Sequence, residues 1–517
     1  MNSEPDIAVI GSGFAGSLFA MICRRLGFSV VLLEKGSHPR FAIGESTSPL
    51  SNLILEELSD RYHIPEIRPL STYGTWKKTH AHLRCGSKRG FSFFAHTPGK
   101  RFADDASHQN QLLVAASPNA DLGDMHWHRS DVDQFYMTLA CQYGVTYFDN
   151  ADVTSIESRQ NGRERLTFAR DGDDTVIDAR FIIDASGTRG CLSKLLRIPE
   201  EKFKNYPNTR TVFSHFSGVQ PCASLSDYKS VTSAPYPVDD AAVHHVFPGG
   251  WMWVLKISDT ITSAGFSLLP GTFPEIEVGM GPESWAALLA KFPSIAEQFA
   301  HANNIMPFMQ SSHLPYRTNN AVGDRWALLP SAAAFVDPLF STGIPLTLLG
   351  IERLAKTLEA GLDAASLPAQ LKDYEYNILA DADQVAFFIR ACFASFENFA
   401  QFRSLSMFYF ASASYTEMCR RLNAPVTQRG FLARENTAFN EVMERCCRTV
   451  IDDPCANIEQ QVIAGVETLN VAGLAHQAKN HWYDVDLQDV VAGSHKLGLS
   501  EATVRRVIGT AAWAGNG

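Results

Sequence analysis

The first 34 residues place the strongest constraint on the fold of this chain. An apolar run over 7–10 breaks at Gly11-x-Gly13-x-x-Gly16, and a second apolar run ends at Glu34. In a βαβ unit the first glycine permits the tight turn, the second lets the backbone approach a pyrophosphate, and the third lets the helix pack on the sheet. The spacing predicts a helix over 17–27 and a Rossmann-type α/β domain that binds a dinucleotide.

The acid at the end of the second run bears on which dinucleotide binds. Glu34 can accept hydrogen bonds from both ribose hydroxyls and would repel a 2′-phosphate, which disfavours NADP. The helix N-terminus would face the phosphates with its free N–H groups. The residues of this unit that we predict to bind the dinucleotide are Gly11, Gly13, Phe14, Ala15, Gly16, Glu34 and Lys35.

Composition narrows the class of protein. A net charge of -10 over 517 residues is not the basic pattern of a nucleic-acid-binding protein. The ten cysteines are scattered and form no paired Cys-x-x-Cys motif, which predicts reduced thiols and no metal site. No apolar stretch approaches the length of a membrane span, and the first strand begins without a cleavable leader. We therefore expect a cytoplasmic protein that binds no membrane.

The pattern along the chain predicts an interleaved organisation. Helices are predicted over 49–62, 130–143 and 283–302, and the region between 208 and 320 is otherwise strand-rich. The predicted segments are 1–70, the first part of the dinucleotide domain; 71–125, strands and loop of a substrate domain; 126–207, the second part of the dinucleotide domain; 208–320, the β-rich substrate domain; 321–350, a return to the dinucleotide domain; and 351–517, a helical C-terminal region.

Later motifs carry a resemblance to a known family. In order along the chain they are the glycine motif, Arg40-Phe41-x-x-Gly44-Glu45-Ser46, Asp184-Ala185-Ser186-Gly187, Trp251-Met252-Trp253, and the run from Phe335 to Gly343. Over about 7–350 the chain resembles the FAD-dependent halogenases, and most of all their phenol-halogenating branch. The resemblance implies FAD, used as FADH2, with molecular oxygen and with chloride or bromide. A flavin hydroperoxide would then yield hypohalous acid, which halogenates an electron-rich phenolic ring.

The resemblance also implies roles for flavin-binding residues. Arg40 and Arg129 would neutralise the pyrophosphate, and the loop of Gly44, Glu45 and Ser46 would lie along the flavin ring or its ribityl chain. The other residues expected to bind FAD on this basis are Asp184, Gly187, Asp337, Pro338, Gly343 and Ile344.

A loop at 337–344 is the predicted halide site. Proline followed by small residues at a helix start exposes consecutive backbone N–H groups, which form an anion-binding nest. In the family the matching amides hold the halide, which implies Ser341, Thr342 and Gly343 here. The alternative is a plain helix cap that supports the flavin ring.

The family also uses one lysine to hold or activate the hypohalous acid. Lys88, in Lys88-Arg89-Gly90-Phe91, fits the family pattern best, with Lys77 and Lys78 as alternatives. A lysine in an apolar cavity loses solvation, so its pKa falls.

The predicted substrate pocket is aromatic. Its residues are Phe94, His245, Trp251, Trp253 and Phe340, with His245 a candidate base for a phenol and with Trp127 and His96 as further candidates. The aromatic residues between 387 and 410 are interpreted either as a lid over the substrate or as helix-packing core.

Three departures from the family pattern bear on the reaction. Phe340 stands where tryptophan-halogenating members carry a glutamate, which argues against free tryptophan as substrate. Lys256 replaces a proline after the two tryptophans, and 330–333 reads Pro-Ser-Ala-Ala in place of Gly-Asp-Ala-Ala. The lost proline leaves a flavin monooxygenase or oxidase as the alternative function, and a flavoprotein without turnover as a third.

The partners follow from the same reasoning. The sequence contains no second Gly-x-Gly-x-x-Gly unit for NAD(P)H, which predicts a separate flavin reductase. The substrate is expected to be a small aromatic molecule, either free or presented by a carrier protein.

Overall fold

The structure is a computed structural model that describes residues 4–204, 206–274, 276, 281–425 and 430–510. The strands are β1 (Ile7–Ile10), β2 (Val30–Leu33), β3 (Cys85–Lys88), β4 (Gly90–Ala95), β5 (Gln111–Ala115), β6 (Asp124–Trp127), β7 (Thr146–Phe148), β8 (Asp152–Ser158), β9 (Glu164–Arg170), β10 (Asp173–Ala179), β11 (Phe181–Asp184), β12 (Glu200–Glu201), β13 (Arg210–Ser217), β14 (Ala242–Phe247), β15 (Gly250–Lys256), β16 (Thr262–Leu268), β17 (Asn303–Asn304), β18 (Met309–Ser311), β19 (Tyr316–Thr318), β20 (Val322–Gly323), β21 (Trp326–Leu328), β22 (Ala334–Phe335) and β23 (Trp482–Tyr483).

The helices are concentrated after the last strand of the dinucleotide domain. The α-helices are α1 (Phe14–Arg25), α2 (Pro49–Tyr62), α3 (Tyr73–Thr79), α4 (Arg129–Gln142), α5 (Cys191–Leu195), α6 (Gly281–Leu289), α7 (Pro293–Gln298), α8 (Pro330–Ala333), α9 (Gly343–Leu358), α10 (Leu367–Ala394), α11 (Phe399–Arg421), α12 (Thr437–Asp452), α13 (Glu459–Glu467), α14 (Leu487–Ala492) and α15 (Glu501–Thr510). Short 3-10 helices cover Pro65–Ser71, Cys222–Ser224, Ser226–Ser233, Leu339–Ser341, Phe431–Ala433, Gln477–Lys479 and Ser494–Leu497.

The dinucleotide unit forms the centre of a six-stranded sheet. The strand order is β20-β21-β11-β1-β2-β7, with β20 antiparallel to β21 and all other neighbours parallel. Every residue of β1 and β2 is buried, as expected for central strands of a parallel sheet covered on both faces. The predicted Rossmann-type fold is confirmed.

A nine-stranded mixed sheet forms the second layer. Its order is β17-β13-β16-β15-β14-β4-β5-β23, and β18 pairs with β13. Parallel pairing of β4 with β14 brings the 90–95 segment beside the 242–247 segment. The C-terminal region is mostly helical, as predicted, and it also contributes the last strand, β23, which pairs with β5.

The nine-stranded sheet separates two apolar clusters. Phe91 and Phe93 of β4 belong to the cluster shared with the dinucleotide domain and the C-terminal helices, whereas Phe94 belongs to the cluster under α6 and α7. Successive side chains of a strand point to opposite faces, and this alternation sorts them. Only the face that carries Phe91 and Phe93 can contribute to a site beside the dinucleotide domain.

The observed helix bounds agree with most predictions and correct one. Helices α2 and α4 lie within one residue of their predicted bounds, and α1 begins earlier than predicted, directly after its N-cap, Gly13. The single helix predicted over 283–302 is wrong, because the segment forms α6 and α7. Pro293 begins α7, since proline lacks an N–H and suits the first turn of a helix.

Two further properties concern the described residues. None of the helices built from them combines the length and the hydropathy needed to cross a lipid bilayer. All ten cysteines are unpaired thiols, which is consistent with the predicted reduced state.

Candidate active site

The three glycines of the first turn have different surroundings. Gly11 has a φ of +98°, and a Cβ there would lie 2.5 Å from the carbonyl oxygen of Ala185. A Cβ on Gly16 would lie 1.9 Å from the Gly11 oxygen, whereas at Gly13 the nearest atom, on Asp133, is 3.5 Å away. Gly11 and Gly16 therefore serve the fold, whereas a Cβ on Gly13 would make only ordinary van der Waals contacts within the protein.

Glu34 is held as a carboxylate beside this turn. One of its oxygens accepts hydrogen bonds from the backbone N–H and the hydroxyl of Ser12, at 2.9 and 3.0 Å, and from Arg40 at 2.8 Å. Burial opposes ionisation, but the Arg40 guanidinium and these hydrogen bonds keep the pKa of Glu34 below its usual value. The charge is thus preserved where a ribose would be recognised.

Arg129 organises the loop that follows β2. Its guanidinium forms two hydrogen bonds with Asp133, at 2.9 and 3.0 Å, and donates to the carbonyls of Ile43 and Gly44 at 2.7 and 2.9 Å. Asp133 also accepts the backbone N–H of Phe14 at 3.1 Å. One arginine thereby ties the loop to the start of α1.

A cavity of about 380 Å³, called here the dinucleotide cavity, runs from the glycine turn to the paired tryptophans. The predicted residues that line it are Gly13, Phe14, Ala15, Arg40, Gly44, Glu45, Ser46, Arg129, Gly187, Trp251, Trp253, Pro338, Ser341, Gly343 and Ile344. Residues that line it without having been predicted include Phe213, His244, Leu255, Tyr316 and Thr347. An open glycine turn, two arginines and a long apolar floor together suit FAD.

Several predicted residues support the cavity from behind. Asp184 accepts hydrogen bonds from the backbone of the turn that follows β11. Asp337 accepts from the Trp251 indole at 3.1 Å, the Ser267 hydroxyl at 2.7 Å and the Leu339 backbone at 3.0 Å. Burial raises the pKa of Asp337 to about 7 against these bonds. Both aspartates therefore fix the backbone behind the cavity, and neither is among the residues that line it.

The predicted halide loop has an unusual backbone. Phe340 and Ser341 have φ values of 63° and 57°, and Thr342 returns to the right-handed region. Left-handed residues other than glycine are strained and persist only where their surroundings hold them. The Tyr409 hydroxyl donates to the Phe340 carbonyl at 2.8 Å, and the Ser341 hydroxyl bonds that of Ser46 at 3.0 Å. A change between left- and right-handed residues is the geometry in which N–H groups converge on an anion, but the Ser341 N–H already donates to the Pro338 carbonyl at 3.0 Å.

Lys88 is fully buried at the end of the halide loop. Its amine donates to the Thr47 carbonyl at 2.5 Å and to the Ser341 hydroxyl at 3.4 Å, and lies 4.1 Å from the centre of the Phe91 ring. Burial lowers the pKa of Lys88 to about 8, and the Asp124 carboxylate opposes this effect. An amine that exchanges its proton near neutral pH is therefore placed directly beside the predicted halide site.

The other candidate lysines lie on the surface. Lys77 and Lys78 are exposed on α3. Lys35 is exposed and pairs with Asp152 at 3.0 Å, so its side chain does not reach the dinucleotide cavity. Of the three candidates for the family's lysine, only Lys88 points into the protein.

An aromatic wall stands between the dinucleotide cavity and a second cavity of about 110 Å³, called here the inner cavity. Phe340 is buried in this wall, with its ring centre 4.6 Å from Tyr409 and 5.8 Å from Phe93. Phe91, Tyr409 and Phe410 line the inner cavity. The aromatic residues of α11 therefore pack against the core and cover a cavity at the same time.

Two predicted pocket residues lie elsewhere. Phe94 and His245 face the other side of the nine-stranded sheet, where His245 bonds Gln298 and His96 at 2.9 Å each. Burial lowers the pKa of His245 to about 4, so it is a neutral member of a polar network in that core. Phe94 and His245, which were predicted to line the substrate pocket, line neither of the two cavities. His244 faces the dinucleotide cavity instead. Successive side chains of a strand point to opposite faces, so this alternation was the signal that could have separated His244 from His245.

The departures from the family pattern are located at the cavity edge. Trp251 and Trp253 both line the dinucleotide cavity. Lys256 lies at the exposed end of β15 and pairs with Asp259 at 3.2 Å. Ser331, in the altered segment, still lines the cavity. The tryptophan wall thus persists without the proline.

The dinucleotide cavity suits FAD, and the strained loop at its edge lies beside a buried lysine. These features define the class of flavin-dependent halogenases. A family model described as tryptophan halogenase matches residues 104–401, and a Rossmann-like NAD(P)-binding model matches residues 9–50. The chain belongs to the tryptophan halogenase family.

Individual relatives agree with this assignment. The monodechloroaminopyrrolnitrin halogenase PrnC of Pseudomonas fluorescens is 29% identical over 76% of this chain and 68% of its own length. The tetracycline 7-halogenase of Kitasatospora aureofaciens is 29% identical over 81% of this chain and 75% of its own. The crystal structure of the halogenase PltM with phloroglucinol and FAD superposes with a TM-score of 0.82 at 24% identity, covering 92% of this chain and 99% of PltM. That likeness confirms the fold.

Proposed function

We propose that this protein halogenates a free phenol in the inner cavity, using Lys88 to hold the electrophile. The observation that carries the proposal is the position of Lys88 between the two cavities. Its amine contacts Ser341 of the dinucleotide cavity on one side and the ring of Phe91, a wall residue of the inner cavity, on the other. We infer that an electrophile formed beside the flavin passes this amine on its way to the inner cavity.

The chemistry divides between the cofactor and the protein. Bound reduced FAD supplies the activated oxygen that converts halide into hypohalous acid. The backbone around Thr342 and Gly343 would hold the halide, since the Ser341 N–H donates to the Pro338 carbonyl, and the Lys88 ammonium would donate a hydrogen bond to the hypohalous oxygen. As the ring carbon bonds to the halogen, the O–X bond breaks, and the departing oxygen takes a proton from Lys88, which solvent restores, and leaves as water. The ring proton is lost to solvent, so one hypohalous acid converts one C–H into one C–X bond.

The inner cavity suits a phenol. Its wall is mostly apolar, with the Glu417 carboxyl as a buried polar group beside Phe91 and Tyr409. Burial raises the pKa of Glu417 while its ion pair with Arg421 opposes the rise. A phenol hydroxyl could donate to this carboxyl while the ring stacks on the aromatic wall. Loss of the phenol proton activates the ring, so no glutamate is needed at position 340.

The charge at the cavity mouth favours a free substrate. Asp484 and Asp486 line the inner cavity and are exposed. A carrier-bound substrate arrives on a phosphopantetheine arm, whose phosphate the Asp486 carboxylate would repel, whereas Asp484 is paired with Lys479 at 3.2 Å. We therefore infer a free, uncharged phenol for this chain, although two carrier-dependent pyrrole halogenases are among its relatives.

The tryptophan wall favours halogenation over hydroxylation. Trp251 and Trp253 cover the dinucleotide cavity, and Phe340 closes the gap towards the inner cavity. Direct oxygen transfer requires the substrate ring to touch the flavin, and this wall keeps them apart. Lys256 is exposed and paired with Asp259, so its substitution for proline leaves the wall in place.

The experiment uses the purified protein with FAD, a separate flavin reductase, NADH and sodium bromide or chloride. A panel of free phenols is tested beside the same phenols linked as thioesters to a carrier protein, with products identified by mass spectrometry. We expect a mass increase of one halogen on the free phenols. Hydroxylated products would support the monooxygenase alternative, and exclusive halogenation of the carrier-bound substrates would refute the free-substrate proposal.

A further inference from the structure

A second buried ionisable group faces Lys88 across a strand pair. Strands β3 and β6 are antiparallel, and their register places Lys88 directly opposite Asp124. Directly opposed residues of an antiparallel pair point to the same face, so the two side chains share one side of the ladder. Both residues are buried, with Lys88 0% and Asp124 2% exposed. An ionisable pair at this depth requires an account of its charge.

The two oxygens of the Asp124 carboxyl differ in their hydrogen bonding. Its Oδ1 accepts the side-chain N–H of Asn52 at 2.7 Å. Its Oδ2 is buried, and within the described part of the chain it has no hydrogen-bond partner. Leaving a buried carboxyl oxygen unpaired is costly, so a purely structural role would not explain this aspartate.

The Lys88 amine leaves a donor for a partner beyond its two contacts. An ammonium ion has three N–H donors, and the amine bonds the Thr47 carbonyl and the Ser341 hydroxyl. Burial lowers the pKa of Lys88 and raises the pKa of Asp124, and the attraction between the ammonium and the ionised carboxylate opposes both shifts. Asp124 is the carboxylate that counters the burial of this amine.

The other ionisable groups around the pair largely cancel. Glu417 and Arg421 on α11 act on Asp124 in opposite directions and are ion-paired with each other at 2.7 Å. His126 on β6 and His244 on β14 face Lys88, and burial lowers the pKa of each to about 3, so both are neutral. Asp124 therefore remains as the group that sets the charge of the amine.

We propose that Asp124 is a positioning residue that keeps Lys88 in its ammonium form, so that the amine meets the hypohalous acid as a hydrogen-bond donor. The consequence for turnover rests on the proposed halogenase function. The effect on the charge of Lys88 does not, because it is a property of the protein without cofactor.

The test is the titration of the Lys88 amine. Protein labelled with 13Cε-lysine is titrated by NMR without FAD, and the Lys88 signal is assigned by its absence in Lys88→Met. In Asp124→Asn the carboxylate charge is lost, so the Lys88 midpoint should move to lower pH by about one unit or more. The pH profile of bromination should move in the same direction by a similar amount.

Two further variants make the test specific. Asn52→Ala removes the hydrogen bond that stabilises the Asp124 carboxylate, so the Lys88 midpoint should fall by less than in Asp124→Asn. It also decides the question if Asp124→Asn does not fold. The matched control is Asp239→Asn, because Asp239 is a partly buried carboxyl of raised pKa that bonds the backbone of Cys222 and Ala223 instead. It should leave the Lys88 midpoint unchanged.

The outcomes separate the two proposals. If Asp124→Asn and Asn52→Ala are folded and their Lys88 midpoints match wild type, the role of Asp124 is refuted even if the enzyme brominates phenols. If the midpoints shift as expected while wild type halogenates none of the phenols, the charge assignment stands and the proposed function fails.

Discussion

Replacing Lys88 by methionine should abolish halogenation without unfolding the protein. The side chain is fully buried, and methionine preserves most of its hydrocarbon length. The substitution leaves the Thr47 carbonyl without its lysine donor, a loss of about 1–3 kcal/mol. It also removes a charge whose burial lowers the lysine pKa from 10.5 to about 8, equivalent to about 3 kcal/mol against the ammonium.

These two terms oppose each other and are of similar size, and Asp124, whose pKa burial raises, takes up a proton when the cation is lost. We therefore expect the free energy of unfolding of Lys88→Met to stay within about 2 kcal/mol of wild type. Loss of a group that donates a hydrogen bond or a proton to the reacting atoms costs about 10²- to 10⁴-fold in rate. The rate of halogenation should fall by at least 100-fold, while the Kd for FAD should be unchanged because the amine does not line the dinucleotide cavity.

Three measurements check this prediction. Urea unfolding gives the stability, flavin fluorescence gives the Kd, and single-turnover bromination with pre-reduced FAD gives the rate without the reductase. Lys78→Met, a change at an exposed lysine of α3, is the matched control and should behave as wild type. A folded Lys88→Met that brominates within tenfold of wild type would refute the assignment of the amine to the electrophile.

Three further outcomes follow from the geometry. Gly13→Ala should keep the stability of the apo-protein and weaken FAD binding by at least about tenfold in fluorescence titration, because its Cβ would enter the cavity. Gly16→Ala should instead lower the melting temperature, because its Cβ would meet the Gly11 carbonyl. Equal stability of the two variants would contradict this division. His244→Ala should lower turnover, and His245→Leu should leave turnover unchanged and lower only the stability, so loss of activity in a folded His245→Leu would restore it to the site. In the unfolded state His245 binds a proton near pH 6.5, whereas in the folded protein it does so only near pH 4. The free energy of unfolding should therefore fall as the pH drops through this interval, and it should fall less steeply in His245→Leu. Urea unfolding at several pH values measures this slope.

Sequence reasoning was most successful where function requires local backbone geometry. The roles of Gly11, Gly13 and Gly16 depend on a turn and helix formed by adjacent residues, so the motif alone predicted the surroundings found in the structure. Lys88 was named from its motif, and the structure places it between the two cavities. Phe94 lies on the face of the sheet opposite to Phe93, and its prediction as a pocket residue did not use this strand alternation.

Contacts between distant segments could not be read from the chain in this way. Asp124 meets Lys88 only because β3 and β6 pair in one register, and a shift of one residue would turn either side chain to the other face. Tyr409 holds the carbonyl of Phe340 across 69 residues of sequence, and it does so only after α11 has packed against the sheet.

The sequence by itself determined the dinucleotide fold, the family and part of the lining of the cofactor cavity, because glycine turns and buried strands depend on residues close together in the chain. The tertiary structure alone decided what Lys88 faces, how Phe340 and Tyr409 divide the two cavities, and which face of the nine-stranded sheet each side chain takes. These properties depend on strand register and on helix packing between segments far apart in sequence, and local patterns do not encode them.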